Sequence, residues 1–527
     1  MATESLSFIG TRNPFSDNIV VVIAKAHSAT LSGIEALPIV VEVDLQGVTD
    51  QGMFILVGLP DQAVAESRER VRSSIRNSEM DYPTSRKIVC NLAPGDIRKE
   101  GPFLDLPIAC AVLAVNNQIP IEVFEDTMII GELGLDGQMR PINGAVSIAL
   151  MALEKGFKRL ILPKQNAPEA AVALGVDVYG VTSLTEAVEL LNGSPLIFPE
   201  QFDDSAEARM PEYLVDFSDV KGQKHAVRAL EIAAAGGHNV LMVGPPGSGK
   251  TMLARRLPTI LPPLSLEESV AVTRIHSSSG QKQKDGLIWE RPFRAPHHSA
   301  SHAAIVGGGK NPKPGEISMA HFGCLFMDEM PEFDRAVLEA LRQPLEDGIV
   351  TVARVQNTVT FPAECILIGA MNPCPCGFRG LPEQKCVSTP SSCIKYAGKI
   401  SGPLLDRIDI HIEVPRLKPE ELMDKSGGEG SNIIRDRVLK ARQLQGKRLG
   451  GSRVNAKMSP RETREMVSLD AECDHFMRQV AARMNISARV FDRILRVSRT
   501  IADLDGRDIV KKSHLAEAVQ YRERVVV

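Results

Sequence analysis

An eight-residue run at positions 244–251, GPPGSGKT, has the residue types and the spacing of a phosphate-binding loop. Its glycines let main-chain N–H groups turn toward a polyphosphate, and a helix beginning at Lys250 adds the positive end of its dipole. We predict that Lys250 binds the β- and γ-phosphates of a nucleotide and that the hydroxyl of Thr251 binds Mg²⁺. The residues predicted to surround the phosphates are Gly244, Pro245, Pro246, Gly247, Ser248, Gly249, Lys250 and Thr251.

Two carboxylates that suit the same chemistry follow an apolar run at 323–327. Asp328 is expected to hold Mg²⁺ through water, and Glu329 to polarise the water that attacks the nucleotide. Another apolar run, 366–371, leads to Asn372, whose amide is expected to lie beside the γ-phosphate. Together these residues predict hydrolysis of a nucleoside triphosphate.

A parallel sheet is needed to bring these side chains together. The runs at 239–243, 323–327 and 366–371 are mostly apolar, which is typical of strands buried on both faces of a parallel sheet. Because the carboxyl ends of parallel strands meet at one edge, the loop, the carboxylates and the amide are predicted to meet there. We therefore predict an α/β fold.

The composition is that of a globular protein with several domains, since 43 % of the 527 residues are hydrophobic and 24 % are charged. The formal net charge of −4 argues against a protein that is basic over its whole surface, but it is compatible with a local basic channel. The sequence lacks both an apolar segment of membrane-spanning length and an apolar signal core in its first residues. We expect a cytoplasmic protein whose cysteines are reduced or metal-bound.

A group of cysteines in one short segment consists of Cys374, Cys376, Cys386 and Cys393. Four thiols this close together fit a structural zinc site with four cysteine ligands. Their spacing differs from the usual C-x₂-C pairs, so ordinary loop cysteines are the alternative.

Three histidines lie close together at His297, His298 and His302. The last two have the i, i+4 spacing of a helix, but the motif lacks the carboxylate of H-E-x-x-H. We expect packing or nucleic-acid contact rather than metal binding for them.

The chain divides into four segments. Residues 1–195 alternate short β-rich runs with helical stripes, which predicts an α/β domain. Residues 196–218 mix Gly, Pro, Asp, Glu and Ser without periodicity and are predicted to be a linker. The motifs above lie within 219–415, and 416–527 is predicted to be helical, with one helix expected at 463–469.

Two segments of the first domain, 97–115 and 131–164, resemble the proteolytic domain of Lon-type proteases. The resemblance implies a ribosomal S5 domain 2-like α/β fold. That family has a catalytic serine in a G-P-S-A-G turn and a lysine in a G-G-x-K turn, but here Phe103 and Val146 occupy these positions. Since neither side chain is a nucleophile or a base, we expect an inactive Lon protease-like domain with a structural or partner-binding role.

From Asp219 onward the motifs occur in the order found in AAA+ ATPases, which the chain resembles. The segments 291–301 (RPFRAPHHSAS), 307–318 (GGGKNPKPGEIS) and 341–348 (LRQPLEDG) further resemble magnesium-chelatase-like AAA+ proteins, and the three-part layout resembles the ComM/YifB family. The resemblance implies an AAA+ P-loop motor with a helical lid that uses ATP and Mg²⁺. It also implies a homo-hexameric ring that migrates branched DNA during natural transformation.

The same resemblance implies roles for three residues. Asn372 corresponds to the first sensor, Arg407 to the arginine finger that enters a neighbouring subunit's site, and Arg489 to the second sensor. For Arg407 the alternative is a surface ion pair with Asp406 or Asp409. Other arginines on the predicted helix of Arg489 are Arg493, Arg496 and Arg499.

Alternating β-branched residues at 349–361 predict a hairpin with its polar tip near 354–357. In the related motors such a hairpin lines the central pore, so Arg354 is expected to contact DNA phosphate, together with Lys310 and Lys313 on the preceding insert. A solvated hairpin tip is the alternative for these cations.

The leading hypothesis is an ATP-dependent helicase or branch-migration translocase that binds single-stranded or branched DNA, with recombination proteins as further partners. The alternatives are the ATPase subunit of a metal chelatase, a protein-remodelling motor and a scaffold without hydrolysis.

Overall fold

The computed structural model of the chain describes residues 23–48, 52–99, 101–203, 205, 211, 213–281, 286–309, 312–353, 358–379, 385–417, 420, 427–484 and 486–522. Two compact units are present, one made of Met1–Leu31 and Ala36–Gln201, the other of Ser32–Glu35 and Phe202–Val527. The division after Gln201 lies inside the segment predicted to be a linker. Among the described residues, no helix combines the length and the apolar character needed to cross a membrane.

The first unit is built on a mixed sheet. Its strands are β1 Ile23–Ser32, β2 Glu35–Val48, β3 Met53–Val57, β4 Arg86–Ala93, β5 Thr127–Ile129, β6 Glu132–Leu133, β7 Met139–Arg140, β8 Arg159–Pro163 and β9 Asp177–Val181. Seven of them form one sheet in the order β3-β4-β2-β1-β5-β8-β9, and β6 pairs with β7. The β2–β4 pair is antiparallel, whereas β5, β8 and β9 run parallel. Its helices are α1 Gln62–Ala65, α2 Ser67–Asn77, α3 Asp105–Val115, α4 Ala145–Glu154, α5 Ala167–Ala170 and α6 Leu184–Leu191.

Helix α3 lies in the core of the first unit. Every one of its residues is buried, as expected for a helix that is apolar on all faces. Its single carboxylate, Asp105, forms an ion pair with Arg70 at 2.7 Å, which offsets part of the cost of burying the charge. This helix therefore packs the sheet and has no free polar face.

The second unit contains a parallel sheet of five strands, in agreement with the prediction. The strands of this unit are β10 Val240–Val243, β11 Phe293–Arg294, β12 Gly307–Gly308, β13 Lys313–Pro314, β14 Cys324–Met327, β15 Ile349–Ala353, β16 Thr358–Pro362, β17 Ile366–Met371 and β18 Ile410–Glu413. The parallel sheet has the order β11-β14-β17-β10-β18. Strands β10, β14 and β17 are buried along their whole length, because helices cover both faces of the sheet.

Two antiparallel hairpins leave this sheet, β12 with β13 and β15 with β16. The helices of the second unit are α7 Lys224–Gly236, α8 Lys250–Ile260, α9 Leu266–Ser278, α10 His302–Val306, α11 Glu316–Met319, α12 Arg335–Ala340, α13 Arg342–Asp347, α14 Pro390–Ala397, α15 Gly402–Leu405, α16 Ser431–Leu449, α17 Pro460–Met466, α18 Ala471–Met484, α19 Ala488–Leu504 and α20 Lys512–Gln520.

The C-terminal helices share one hydrophobic core with the sheet. Ile434 and Val438 of α16 and Ile501 of α19 pack in the same buried cluster as Ala229 of α7 and Ile368 of β17. The described part of 416–527 is therefore closely packed on the parallel sheet and belongs to the same compact unit.

The prediction of a helix at 463–469 was wrong at both ends. Helix α17 begins at Pro460, because Ser459 caps it: the Ser459 hydroxyl accepts from the Glu462 N–H, and the Glu462 carboxylate accepts from the Ser459 N–H. Proline at the first helical position strengthens this start, and the helix ends at Met466. Hydrophobic periodicity alone places the start of this helix too late, whereas the capping box of Ser459 and Glu462 sets it at Pro460.

Candidate nucleotide-binding site

The loop at 244–251 connects β10 to α8 and has the backbone that its glycines allow. Gly247 and Gly249 have φ values of +76° and +89°, a region that other residues rarely adopt. At Gly244 a β-carbon would lie 2.1 Å from the carbonyl oxygen of Val414, which directly follows the neighbouring strand β18. Glycine is therefore required at 244 by close packing and at 247 and 249 by conformation.

The side chain of Lys250 lies inside this loop. Its ammonium donates to the carbonyl oxygens of Gly244 at 2.7 Å and Pro245 at 3.0 Å, and to Oδ1 of Asn372 at 3.4 Å. Burial lowers the pKa of Lys250. The buried hydroxyl of Ser248 has no hydrogen-bond partner among the described residues. A phosphate that accepts from the loop N–H groups, the ammonium and this hydroxyl fits the donors present.

Thr251 and Asp328 meet as the spacing of the motifs predicts. The Thr251 hydroxyl donates to Oδ2 of Asp328 at 2.8 Å. Hydroxyl and carboxylate oxygens are the ligands that Mg²⁺ takes in nucleotide sites, so the pair fits that ion. Asn372 follows β17, next to β10, and so the amide, the lysine and the carboxylate share one edge of the sheet.

Glu329 has a left-handed backbone with φ of +49°, which is uncommon for a residue other than glycine. Its N–H donates to Oδ1 of Asp328 at 3.0 Å. Its carboxylate lies 3.8 Å from Nδ1 of His298, whose ring is tilted by 35° against that of His297 with centroids 4.1 Å apart. His297 and His302 are exposed, whereas His298 is half-buried and is a neighbour of the predicted water-activating carboxylate.

The helical i, i+4 relation expected for His298 and His302 is absent. Helix α10 begins at His302, capped by the hydroxyl of Ser301, and His298 lies in the turn before it. The serine cap starts the helix too late to include His298.

Arg407 lies at the amino ends of the parallel strands, whereas Lys250 lies at their carboxyl ends. Strands β10 and β18 are parallel, with Val240 opposite Ile410 and Val243 opposite Glu413. The phosphate-binding loop follows Val243, whereas Arg407 precedes β18, and its carbonyl oxygen accepts from Nδ2 of Asn239 at 3.2 Å. The length of the strand therefore separates Arg407 from the loop of its own subunit.

Arg407 forms an ion pair with Glu346, and not the pair with Asp406 or Asp409 that was the alternative prediction. Asp409 instead binds Arg493, and His238 lies 3.3 Å from its other carboxylate oxygen. Burial by itself raises the pKa of Asp409, but the charge of Arg493 and the hydrogen bond from His238 lower it well below its usual range. Asp409 is thus an ionised, buried anchor.

The helix α19 carries Arg489, predicted as the second sensor, and the three neighbouring arginines Arg493, Arg496 and Arg499. Arg489 is exposed at its first turn, and Arg493, one turn later, donates to the carbonyl oxygen of Arg407 at 3.1 Å. The beginning of α19 therefore lies at the same sheet edge as Arg407. An action of Arg489 on a nucleotide would then have to be in a neighbouring subunit, as for Arg407.

The four cysteines predicted as zinc ligands lie together. Sγ of Cys374 is 3.3 Å from that of Cys376 and 3.6 Å from that of Cys386, and the Cys376–Cys386 distance is 3.5 Å. Sγ of Cys393 is 3.9 Å from that of Cys386. Zn–S bonds of about 2.3 Å give a tetrahedron with edges of about 3.8 Å, close to these distances. The thiols of Cys374, Cys376 and Cys386 lie within 4.8 Å of one another and fit three corners of a tetrahedral metal site, whereas Cys393 lies outside this group and approaches it at Cys386.

The cysteine cluster also forms a wall of the phosphate-binding loop. Gly377, between the cysteines, has φ of +81°, and a β-carbon on it would lie 2.5 Å from Cδ of Pro246. Tyr396, in the same helix as Cys393, is buried and bonds to the main chain of Asn372. The cluster is therefore in contact with both sides of the site.

The residues predicted to bind DNA are described in part. Lys313 is exposed on β13, opposite Gly308, and the β12–β13 hairpin lies beside β15. The predicted hairpin at 349–361 is confirmed, with Ala353 paired to Thr358. Its tip, including Arg354, and Lys310 lie outside the described residues.

The positions that correspond to the Lon catalytic pair are occupied by apolar side chains. Phe103 is partly buried in the turn before α3, and Val146 is fully buried in α4. Neither side chain supports peptide hydrolysis.

Sequence reasoning missed three relationships: Glu346 with Arg407, His298 with Glu329, and Gly377 with Pro246. All three join segments distant in the chain. The available signal for His298 and Glu346 is that they lie in the segments 291–301 and 341–348, which resemble magnesium-chelatase-like AAA+ proteins.

Comparison with known proteins gives three family matches. Residues 216–422 match "Magnesium chelatase, subunit ChlI", residues 41–166 match "Subunit ChlI of Mg-chelatase", and residues 428–522 match "Magnesium chelatase, subunit ChlI C-terminal". Together they cover most of the chain.

Similar curated proteins include the competence protein ComM of Haemophilus influenzae, 42 % identical over 510 residues, with 95 % of this chain and 98 % of that protein covered. The uncharacterized protein YifB of Escherichia coli K12 is 41 % identical over 507 residues, with 94 % and 96 % covered. Lon protease 1 of Hydrogenovibrio crunogenus is 25 % identical over 177 residues, which are 32 % of this chain and 21 % of that protein.

Proposed function

Because this chain belongs to the ComM/YifB family of magnesium-chelatase-like AAA+ proteins, we propose that it is an ATP-dependent DNA motor. Its proposed form is a homo-hexameric ring that acts in the cytoplasm as a helicase or branch-migration translocase. The observation that carries the proposal is the convergence of Lys250, Thr251, Asp328 and Asn372 at one sheet edge, in a chain similar to a competence protein over almost its whole length. Integration of DNA during transformation or recombination is the proposed setting, with recombination proteins as further partners.

The proposed hydrolysis depends mainly on electrostatic stabilisation. Lys250 and the loop N–H groups, from residues 244–251, hold the phosphates and compensate the charge that develops on them. Mg²⁺, held by Thr251 and Asp328, would supply a further positive charge at the phosphate oxygens. Glu329 orients the attacking water, and the Asn372 amide fixes the terminal phosphate.

Assembly is proposed to complete the site. Arg407 lies at the far edge of its own sheet, which supports its action on ATP bound to the next subunit. An arginine finger of this kind contributes about 10³–10⁵ in rate in other P-loop enzymes. Arg489, at the same edge, is proposed as the second sensor of that neighbouring site. ATP turnover should therefore require the ring.

DNA is proposed to pass through the ring's centre, along the two hairpins. Exposed Lys313 and the neighbouring β15–β16 hairpin support this path, with Arg354 and Lys310 as further phosphate contacts. The domain layout is proposed as 1–195 for the inactive Lon-like domain, 196–218 for the linker, 219–415 for the motor and 416–527 for the lid. The Lon-like domain is proposed to recruit partners.

Zinc is proposed as a structural ion bound by Cys374, Cys376, Cys386 and Cys393. The support is the group of Cys374, Cys376 and Cys386, whose Sγ atoms lie 3.3 to 3.6 Å apart, with Cys393 3.9 Å from Cys386, in a cluster that touches the phosphate-binding loop. The ion would hold the loop wall in place and take no part in hydrolysis.

The test is a branch-migration assay on a labelled four-way junction, with ATP hydrolysis measured in parallel at low salt. Wild-type protein should move the junction and hydrolyse ATP faster when DNA is present. The Glu329→Gln variant should bind ATP and DNA but leave the junction in place. Arg354→Ala should lose the stimulation by DNA and keep the rate measured without it.

The second candidate function, the ATPase subunit of a metal chelatase, is favoured by the names of the family matches. ATP turnover that ignores DNA but responds to a tetrapyrrole would support it and reject the DNA motor.

A further inference from the structure

The guanidinium of Arg407 is held inside its own subunit by Glu346. One nitrogen, Nη2, forms an ion pair with the Glu346 carboxylate, and Nη1 donates to the carbonyl oxygen of Pro403 at 3.0 Å. The Arg407 side chain is only 12 % exposed, whereas that of Glu346 is 54 % exposed. In this state Arg407 is not available to a neighbouring subunit.

The third nitrogen of the Arg407 guanidinium, Nε, is buried and has no hydrogen-bond partner among the described residues. A buried donor without an acceptor costs free energy, so this guanidinium gains from a richer acceptor such as a phosphate. The observed arrangement therefore leaves one N–H of Arg407, on Nε, without an acceptor among the described residues.

The main chain of Arg407 is fixed independently of its side chain. Its carbonyl oxygen accepts from Asn239 at 3.2 Å and from Arg493 at 3.1 Å, and Arg493 also binds buried Asp409. The Arg493–Asp409 pair is costly to break because Asp409 is buried, whereas the Arg407–Glu346 pair is weaker because its carboxylate is exposed to solvent. The side chain can consequently leave Glu346 while the backbone stays in place.

Glu346 also lies at the foot of the hairpin that is proposed to contact DNA. Helix α13 ends at Asp347 and is followed by Gly348, which has φ of +70°, and β15 begins at the next residue. The hairpin is closed at its base by a hydrogen bond from the Ala363 N–H to the Gly348 carbonyl oxygen at 2.8 Å. A β-carbon on Gly348 would lie 2.8 Å from Cγ of Glu364. Glu346 is therefore only two residues from the base of the hairpin, to which the main chain connects it directly.

We propose that Glu346 is a positioning residue that holds Arg407 until ATP is bound next door and DNA occupies the hairpin. This inference rests on the proposed DNA motor for its second condition. The triphosphate of a neighbouring subunit competes with Glu346 for one guanidinium, and it offers more charge and more acceptor oxygens. Movement of the hairpin by DNA weakens the Glu346 contact, and the coupling acts equally in the other direction. ATP turnover and DNA contact are thus linked through one exchange of ion-pair partners.

The test is the Glu346→Gln variant, assayed for ATP hydrolysis without DNA and with saturating forked DNA. We expect its DNA-free rate to rise by roughly two- to fivefold, the effect of losing an ion pair of up to about 1 kcal/mol at 1.4 kcal/mol per tenfold. The rate with DNA should remain that of the wild type, so that the stimulation ratio falls toward one. Glu346→Asp keeps the charge on a side chain that is one methylene shorter and should give an intermediate DNA-free rate.

Glu339→Gln is the matched control, since Glu339 forms a comparable pair with Arg342 at 2.8 Å but does not touch Arg407. It should behave as the wild type. Unchanged rates in Glu346→Gln, or a fall in both rates at an unchanged melting temperature, would overturn the proposal. If the wild type hydrolyses ATP without any response to DNA, the DNA motor is rejected. The DNA-free rate of Glu346→Gln then still decides whether Glu346 restrains Arg407.

Discussion

The Thr251 hydroxyl donates to the Asp328 carboxylate over 2.8 Å; Thr251 lies in the first turn of α8, and Asp328 directly follows β14. This hydrogen bond joins the phosphate-binding loop to the strand β14, at the place where Mg²⁺ is proposed to bind. It gives the first prediction.

Thr251→Ala removes one proposed Mg²⁺ ligand and leaves Asp328 in place. We expect the Mg²⁺ concentration for half-maximal ATP hydrolysis to rise about 10–100-fold, the usual effect of disturbing a metal's ligand environment. The measurement is hydrolysis across a Mg²⁺ titration, with Thr251→Ser as the control that keeps the hydroxyl. An unchanged Mg²⁺ requirement in Thr251→Ala would remove Thr251 from the site.

Mixing two inactive variants tests whether Arg407 acts in a neighbouring subunit. Lys250→Ala lacks a working loop and Arg407→Ala lacks a finger, so each should be inactive alone. In an equal mixture, about a quarter of the interfaces of a head-to-tail ring would combine an intact loop with an intact finger. We expect ATP hydrolysis to reappear on mixing. Failure to recover any activity in rings of mixed composition would contradict action in trans.

Arg489 and Arg493 are expected to behave differently although they lie one helical turn apart. Arg493→Ala leaves the buried carboxylate of Asp409 without its arginine, which costs about 3–5 kcal/mol, so the melting temperature should fall by several degrees. Arg489→Ala, at an exposed position, should melt like the wild type but hydrolyse ATP more slowly. Wild-type hydrolysis by Arg489→Ala would rule out its role as second sensor.

The cysteine cluster predicts a link between metal content and ATP binding. Freshly purified protein should contain about one zinc per chain by elemental analysis, as a four-cysteine site requires. Cys374→Ser should lose the metal and also bind ATP more weakly, since Gly377 of the same loop packs on Pro246. Cys473→Ser, at a buried position away from the cluster, is the control and should keep its zinc. Metal-free wild-type protein would dismiss the site.

The free energy of unfolding should decrease as the pH is lowered, in a way that depends on His321. Burial lowers its pKa to about 4, and its Nδ1 accepts from the Glu364 N–H at 3.0 Å. The unfolded-state pKa is about 6.5, so the neutral ring stabilises the fold fully above that pH and progressively less toward pH 4. We expect acidification from pH 7.0 to 5.5 to cost about 1 kcal/mol through this residue.

The measurement for His321 is the urea midpoint of unfolding at both pH values. His321→Asn keeps an acceptor for the Glu364 N–H but does not titrate, so its midpoint should fall less than that of the wild type. His411, whose pKa burial also lowers to about 4, is present in both proteins and cancels in the comparison. Equal falls in the two proteins would contradict the assignment.

Much of the nucleotide site could be predicted from sequence because its parts are local. One turn between a strand and a helix contains Gly244, Gly249, Lys250 and Thr251. The φ values and the hydrogen bonds within that turn specify its shape. The parallel strands could be predicted as well, since burial on both faces demands continuous apolar runs. The start of α17 was also encoded locally, in the Ser459–Glu462 capping box, but was not recognised.

The sequence by itself thus determined which chemical groups this protein has: a glycine-rich loop with a lysine and a threonine, a carboxylate pair, an asparagine amide after a strand and four closely spaced thiols. Only the tertiary structure decided how these parts are arranged. The parallel register of β10 and β18 puts Arg407 at the edge away from its own Lys250. Packing between distant segments brings Glu346 to Arg407 and Gly377 to Pro246. Such contacts depend on how whole strands and helices pack, and no local pattern in the chain specifies that.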